Sequence, residues 1–498
     1  MKALNERKTI VTPREFREAC LKKHQTLRSP VMMLFASDHR PRDGRFFIHC
    51  IFLDRDNGEW DVVETYAEDN AFDSLSKDVY SSILFEREIK ELFGLEPKGG
   101  LDTRRLRLHD EVWPEGHYPL RKDFNLSSAA SGARGKYAFT KVEGEGIFEV
   151  PVGPVHAGII GPGHFRFSCA GEPVINLELR LGFTHRGVEK MFENARPEDK
   201  VALSECVAGD SAFAHGLAFC SAVEKISGIV APERARYVRA ACLELERMYN
   251  HVNDIGGIAT DVGFGFPANL AAIIKESLQR INQKLTGSRF LKGINAIGGI
   301  GRDLELGPLP ALLLPVLKDF NELKNILHSN VSFMDRVDTT GTLDKKTAED
   351  LGIIGPAGRA SGVDLDLRKI SGGIYEKAGF NPAVDAVGDV LARLNVRIRE
   401  FEESVRLIKY FADNVPEGKI RAEIEMTVGS AIGSAEGWRG PVLYFVETNG
   451  EGKLERVKIV DPSFRNWQAL SFAILGNIIP DFPLCNKSFD LSYPGGDL

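Results

Sequence analysis

VGPVHAGIIGPGHFRF (152–167), LGFTHRGVEKMF (181–192) and ECVAGDSAFAHGLAFCSAVEK (205–225) form the stretch from which the rest of this chain is read. Four histidines, an Arg-Gly-x-Glu-Lys turn and Asp210 fall in one glycine-punctuated region. Glycine lets backbone approach a ligand or another chain closely. A histidine in such a loop titrates near neutral pH and can shuttle protons. His156 and His164 are therefore candidate proton carriers, against the plain alternative that each imidazole satisfies a buried backbone group. His185 and Glu189 are four apart, which also suits a simple contact along a helix face. Asp210 is flanked by Ala208, Ala212, Phe213 and Ala214. A carboxylate buried there needs a partner.

Outward from this stretch the pattern is mainly helical. Segments 197–226, 232–255, 268–285, 309–334 and 382–411 carry apolar residues at three- and four-residue spacing, which implies a bundle-like core. The first of these places Glu205, Asp210 and His215 on one helix. Asp261 follows the second, in GGIATDVGFG (256–265), and makes the same demand for a partner. Arg359, Asp366 and Arg368 fall in GPAGRASGVDLDLRK (355–369). Such arginines either position an anion or redox group or fasten the loop by ion pairs. Strand-like segments occupy 148–181, and segments 441–447 and 454–460 flank Asn449-Gly450-Glu451-Gly452 as a peripheral β hairpin.

Upstream, residues 1–125 read as a small α/β unit. It has a charged helix at 13–24, strands at 31–36, 45–53 and 60–66, and helices at 72–79 and 81–93, the latter ending at Gly94. LRLHDEVWPEGHYPLRKDF (106–124) is irregular, with Trp113, Tyr118 and Phe124 as anchors for draping over a partner. LSSAASGARGK (126–136) opens a linker that we extend to 147. The fold class expected is thus α+β: an α/β domain at 1–125, a linker at 126–147 and a large, mainly helical domain at 148–498.

Composition narrows the function. The 498 residues carry a net charge of -7 with both signs interspersed, so there is no basic footprint for nucleic acid. Apolar runs fall short of the ~20 residues of a membrane span, and residues 1–18 have no apolar core of a secretory signal. A cytoplasmic chain is expected, touching membrane only through partners. Seven scattered cysteines contain no C-x-x-C pair, so a zinc or iron–sulfur site held by this chain alone is not expected. No G-x-G-x-x-G follows a strand, which leaves no dinucleotide site.

The motifs carry a resemblance. FEREIKELFGLEPKG (85–99) with 106–124 resembles the C subunit of bacterial complex I. GPVHAGIIGPGHFRF, HRGVEK, FAHGLAFCSAVEK, ELERMYNHVNDI, TGSRF, SGVDLDLRK and NIIPDFPLCNKSFDLSYPGGDL resemble the D subunit and, more closely, the large subunits of formate hydrogenlyase and hydrogenase-4. The resemblance implies a subunit of a membrane-bound oxidoreductase complex, on the cytoplasmic face of the inner membrane. Its implied partners are a small iron–sulfur subunit, antiporter-like and anchor membrane subunits, and an NADH- or formate-oxidising module.

Departures from the family pattern set the chemistry expected. Family hydrogenases hold nickel and iron with two C-x-x-C pairs. Those positions are Ala208 and Ser211, then Ser463 and Asn466 here. Without a thiolate cage, a nickel–iron centre is expected to be absent. In complex I the vacated cavity reduces quinone. The residues matched are His164 (or His156) and Asp261, with Asp210 as a further carboxylate, while the quinone-bonding tyrosine falls at Gly209. Arg186 matches an arginine beside the partner's 4Fe–4S cluster, and Arg359 and Arg368 are candidates for positioning a redox group. Two functions stay open: an electron-transfer subunit reducing a quinone or similar acceptor, and a coupling scaffold between a redox module and ion-translocating subunits. An active nickel–iron hydrogenase is disfavoured.

Overall fold

The computed structural model describes residues 4–129, 135–157 and 160–498. Residues 130–134 of the linker, and Gly158 and Ile159 of the histidine loop, lie outside them.

Strand β1 (Asn5–Ile10), helix α1 (Pro13–Leu27) and strands β2 (Met33–Asp38), β3 (Phe46–Asp54) and β4 (Glu59–Tyr66) build a sheet of order β1-β4-β3-β2. β1 pairs parallel to β4, and the other pairs are antiparallel. The sequence reading missed β1 because NERKTI is charged and mostly exposed, as an edge strand often is. α2 (Ile83–Phe93) ends at Gly94, whose φ of 66° is the left-handed cap expected there. The helix expected at 72–79 does not form. Ala71–Asp73 is a strand paired with Glu96–Lys98, and the residues after it turn. There the Ser74 hydroxyl and Leu75 N–H both donate to Glu86, at 2.6 and 2.7 Å. Side chain and backbone thus find partners outside a helix.

The middle of the chain forms the meander β5 (Ile147–Val152), β6 (His164–Ala170) and β7 (Val174–Arg180). Among shorter turns, five long helices follow: α3 (Ala212–Ile226), α4 (Glu233–Asp261), α5 (Gly265–Thr286), α6 (Leu309–Ser329) and α7 (Val390–Asn414). α4 is the spine, packed against α5 and α7. It runs past its expected end at 255 because its two glycines are contact points. A Cβ on Gly256 would lie 2.8 Å from Ala271, and one on Gly257 2.7 Å from Lys487. Asp261 is therefore the last residue of α4 rather than part of a following loop. Three other expected helices are shorter. Segment 197–226 breaks into two single turns and α3, so Glu205 and Asp210 lie in the turn before α3 and only His215 is on it. Segment 309–334 breaks at Asn330, whose side chain caps a new helix by accepting from Phe333 N–H. Segment 382–411 starts only at Val390, where Asp389 caps it.

The last part holds β8 (Gly429–Gly437), β9 (Gly440–Thr448) and β10 (Leu454–Val460), then α8 (Pro462–Ala473), α9 (Phe482–Phe489) and α10 (Tyr493–Asp497). β9 and β10 are the expected hairpin, but the hairpin is not peripheral. All nine residues of β9 are buried, with α3 packed on the sheet. Phe445 of β9 meets Phe35 of β2 with ring centroids 4.8 Å apart, so one apolar core runs from the N-terminal sheet through β9 to Phe464 and Trp467 of α8. The irregular stretch 106–124 drapes over the chain's own larger part. Arg107 donates to Gly496 O at 2.9 Å and His109 bonds Leu181 O at 2.7 Å.

Candidate functional site

α3 and α8 begin at the same place. Ser211 is the N-cap residue of α3 and Asp461 that of α8, where it accepts from Ser463 N–H at 2.7 Å. His215, in the first turn of α3, donates from Nε2 to Asp461 Oδ2 at 3.0 Å, and its Nδ1 lies 3.0 Å from the Tyr444 hydroxyl. Burial opposes the charge on Asp461, and the hydrogen bond from His215, together with Arg439 and Ser463, outweighs it, holding the carboxyl below its usual range. The N-terminus of α8, a concentration of positive partial charge, thus meets this buried carboxylate, and His215 ties it to the first turn of α3.

The C-terminal segment closes over this junction. Gly495 passes so near Asp461 that a Cβ would lie 2.6 Å from its Oδ2. Arg186 ties Cys206 O (3.0 Å) and Val207 O (2.8 Å) to Pro494 O (3.1 Å). Asp497 accepts from Gly182 N–H and Thr184 N–H, and its carbonyl accepts from His185 Nδ1 at 2.8 Å. His185 and Glu189 are not the helix-face pair that their spacing allowed. His185 precedes the short helix Val188–Phe192, and Glu189 is clasped by Arg456 (2.7 Å) and Lys458 (3.0 Å).

The four positions expected to hold thiolates in relatives flank the same junction. Ala208 is apolar, the Ser211 hydroxyl donates to Asp210, the Ser463 hydroxyl accepts from Ser492 N–H, and Asn466 bonds both N–H and C=O of Ile354. Alkyl, hydroxyl and amide groups already engaged with the protein do not fit a soft nickel–iron pair. Among the described residues there is no group of three or more His, Cys, Asp or Glu arranged to hold a metal.

Asp210 opens a chain of polar groups. Arg439 grips its carboxylate with two hydrogen bonds, 2.8 and 2.7 Å, while stacking 3.9 Å over Trp438. The same guanidinium donates to Asp490 O and lies 3.6 Å from Asp490 Oδ2. Asp490 also holds Lys487 at 3.1 Å. Behind it, Asp254 takes Arg397 Nε at 2.7 Å on one oxygen, and its other oxygen is buried and faces Asp490. Burial and the Asp490 charge push Asp254 well above the usual carboxylate range. Asp490 goes the opposite way, because Lys487, the Asp254 hydrogen bond and Arg439 outweigh its burial. The two carboxyls are thus pushed apart in proton affinity, Asp254 up and Asp490 down, as neighbouring like charges enforce. At the end of α4, Asp261 is partly open to solvent. It is raised by burial, lowered by Lys487 and raised by Asp490. Arg439, Asp490 and Lys487 thus continue from Asp210 as one chain of contacts, and Asp261 feels the charges of Lys487 and Asp490 without a hydrogen bond or ion pair to either.

Two further acids border it. Glu246 of α4 accepts from Phe213 N–H (2.7 Å) and Ala214 N–H (3.1 Å) at the start of α3, and burial lifts its pKa to about 8. Glu205 accepts from Gly293 N–H at 3.0 Å and is raised by burial to about 7.

The two loop histidines separate. Side chains alternate across β6, so His164 and Phe165 point to opposite faces. Phe165 packs with Trp467 and Phe482, and His156 lies against it, its ring 5.5 Å away and its Nε2 donating to Gly163 O at 2.8 Å. Tyr493 fills the same face beneath Gly161 and Gly163, where a Cβ would come within 2.6 and 2.7 Å of its ring. His164 instead faces Phe139 of the linker, 5.2 Å away, with its pKa lowered by burial. Of the two, His156 is on the side of the α3–α8 junction.

Arg359 and Arg368 do not line an opening. Both are fully buried in a network with Arg247, Glu244, Asp366, Glu400 and Glu436. Arg359 meets Glu400 at 2.5 Å and Glu436 at 3.2 Å, and Arg368 meets Asp366 at 2.7 Å and Glu244 at 3.1 Å. Four carboxyls face three guanidiniums, and the odd carboxyl is Glu436, which burial and then Asp366 raise to about 7.

Sequence reasoning missed Arg439, Asp490, Asp254, Glu246 and Asp461. Glu246, Asn250 and Asp254 recur at four-residue spacing along α4, a sign that a polar seam runs down one side of it. Asp461-Pro462 is a helix-start signature, Pro at the first helical position after a capping Asp.

Comparison with known proteins places this geometry. Residues 10–130 match the respiratory-chain NADH dehydrogenase 30 Kd subunit, and residues 261–428 and 419–497 match the 49 Kd subunit. Formate hydrogenlyase subunit 5 of Escherichia coli is 32% identical over 93% of this chain and 83% of its own length. The fused C/D protein of NADH-quinone oxidoreductase from Phocaeicola vulgatus is 30% identical over 75% of this chain and 76% of its own. Among solved structures, a chain of the membrane-bound sulfane sulfur reductase, an archaeal respiratory membrane complex, superposes with a TM-score of 0.67 at 27% identity. The match covers 71% of this chain and 99% of that one. The chain therefore belongs to the family of oxidoreductase-complex subunits in which 30-kDa-type and 49-kDa-type complex I domains are fused, together with its hydrogenase large-subunit relatives.

Proposed function

We propose that this chain forms, with an iron–sulfur partner subunit, the site at which electrons reach a quinone-class acceptor, and that it works without a nickel–iron centre. Reduction of a quinone takes two electrons and two protons to give the quinol, so the electron site must be supplied with protons. The observation that carries the reading is the run of contacts from Asp210 through Arg439 to Asp490, with the buried Asp254 behind it, beside the α3–α8 junction. Asp210, whose side chain is 39% exposed, is the group at the open end, and Asp261 with Lys487 is the resupply end. His156 is the loop histidine on the reacting side, donating a proton toward the acceptor oxygen as charge develops there. Arg186 holds the wall toward the partner's 4Fe–4S cluster.

A coupling scaffold is the second reading. It is favoured by the sealed network around Arg359, Arg368 and Glu436, which stores a proton away from any opening, and by Gly209 at the position expected for a tyrosine donor. In both readings the subunit sits peripherally on the cytoplasmic face of the membrane. Among the described residues no helix is long and apolar enough to cross it, so attachment falls to antiporter-like and anchor subunits, with an NADH- or formate-oxidising module as donor.

The test is Asp210→Asn in the purified intact complex, following re-oxidation of the partner's clusters by a soluble short-chain quinone. We expect re-oxidation to slow at least about tenfold, the scale of a lost proton donor. Unchanged re-oxidation in a fully assembled complex refutes the acceptor-site reading and leaves the scaffold. Stoichiometric nickel in the same preparation refutes the metal-free claim.

A further inference from the structure

Away from the polar chain, a cavity of about 320 Å³ opens between β1, the second half of α3 and the first turns of α4. That volume is in the range of sites for small organic ligands. Leu217, Ile229 and Leu243 make its wall apolar, together with the ring of Tyr375, whose hydroxyl is turned to Glu244 at 2.7 Å.

Two arginines break this wall. Arg239 is 95% buried, being 5% exposed. Its terminal nitrogens hold Glu224 at 3.1 and 2.6 Å and Ala296 O at 2.8 Å, which leaves Nε buried and without a partner among the described residues. Arg236, one turn earlier on α4, has its Nε buried in the same way. Its guanidinium makes no hydrogen bond or ion pair with any described residue. The third cation of the cavity, Lys225, is saturated by Leu4 O, Glu6 and Ile432 O.

Arg236 is thus a cation with no counter-ion among the described residues, half-buried beside apolar side chains. It also stands near the positive end of α4, where a helix favours anions over cations. A half-buried guanidinium so placed gains from an anion that completes its hydrogen bonds. A guanidinium whose terminal N–H groups are unpaired, next to an apolar chamber, suits a carboxylate carried on a hydrocarbon body.

We propose that this cavity binds a monocarboxylate with an apolar tail. Its carboxylate is held by the terminal N–H groups of Arg236, and its tail lies among Leu217, Ile229, Leu243 and Tyr375. The proposal is independent of the acceptor site, with which it shares no residue. The same chemistry could be delivered by a free organic acid or by a carboxylate on a partner chain, and the test separates them.

Purified full-length chain is titrated calorimetrically with octanoate, and with octanamide as the neutral counterpart. We expect saturable binding at one site, at least about tenfold weaker for octanamide, at least about tenfold weaker in Arg236→Gln, and unchanged in Arg280→Gln on the open surface. Absence of saturable binding, equal affinity for acid and amide, or unaltered binding by Arg236→Gln overturns the proposal. The acid-to-amide comparison needs no variant, so a misfolded Arg236→Gln does not blunt the test. Repeating the titration on the intact complex identifies the source. Retained binding points to a free acid. Binding lost in the complex and regained by the isolated chain points to a partner's carboxylate.

Discussion

Glu436→Gln tests the charge count of the buried network. Arg247, Arg359 and Arg368 face Glu244, Asp366, Glu400 and Glu436, so one negative charge is in excess when all are ionised. Glu436 takes the strain, its pKa rising from the ordinary 4.5 to about 7. The folded state therefore binds this proton more tightly than the unfolded one. Stability from it is fully present below pH 4.5, falls as pH rises toward 7, and is lost above. The shift of about 2.5 units at about 1.36 kcal/mol per unit gives roughly 3 kcal/mol. Glutamine imitates the protonated acid in shape and charge and cannot ionise. The variant should match the parent at pH 5 and exceed its stability by up to about 3 kcal/mol at pH 8. At about 2.1 cal/mol/K per residue, the unfolding entropy of a chain this long is about 1 kcal/mol/K, so the gain reads as about 3 °C in Tm. Thermal unfolding of both proteins from pH 5 to 8 checks it. Because other buried acids titrate in the same range, the quantity to follow is the difference between the two curves. A gap that is constant with pH, or one that favours the parent at pH 8, refutes the count.

Lys458→Met leaves Glu88 and Glu189 buried without the ammonium now 2.6–3.0 Å from each, and should lower stability by about 3–5 kcal/mol, a Tm loss of several degrees. A melting point unchanged by the substitution would show that Arg107 and Arg456 suffice for the two acids. Gly433→Ala places a methyl 2.1 Å from Ala218 O and 2.4 Å from Ala222 N, backbone atoms that cannot step aside. It should part α3 from the sheet and sharply reduce soluble yield, and normal expression with an unaltered melt would contradict that packing.

Much of the fold was legible because it is local. The 3.6-residue apolar rhythm found α4, α5 and the long middle of α7, and Asn-Gly-Glu-Gly found the β9–β10 turn. Breaks were harder. Asn330 and Asp389 end or start helices by hydrogen bonds that periodicity does not register. Strand β8 (GSAIGSAEG) escapes a reading of pattern since its small residues carry no hydrophobic alternation. They are small because α3 lies on them, a fact of packing rather than of the strand itself. The hairpin reads as peripheral for the same reason, as a strand's neighbours on its two faces are not written in its own residues.

The candidate site divides along the same line. The apolar neighbours of Asp210 in the sequence raise the demand for a partner, and the resemblance matches Ala208, Ser211, Ser463 and Asn466 to the thiolate positions, whereas Asp261, for which the same demand is expected, is exposed and pairs with no described residue. Which partner Asp210 takes emerges only on folding. Arg439 lies 229 residues from Asp210 in the chain, and Asp490 is 236 residues from Asp254. Folding also places His156 and His164 on opposite faces of one strand, and draws Arg359 and Arg368 inward to a closed network. A titratable group's behaviour depends on charges and solvent within a few ångströms, and the folded chain brings those together from anywhere along its length.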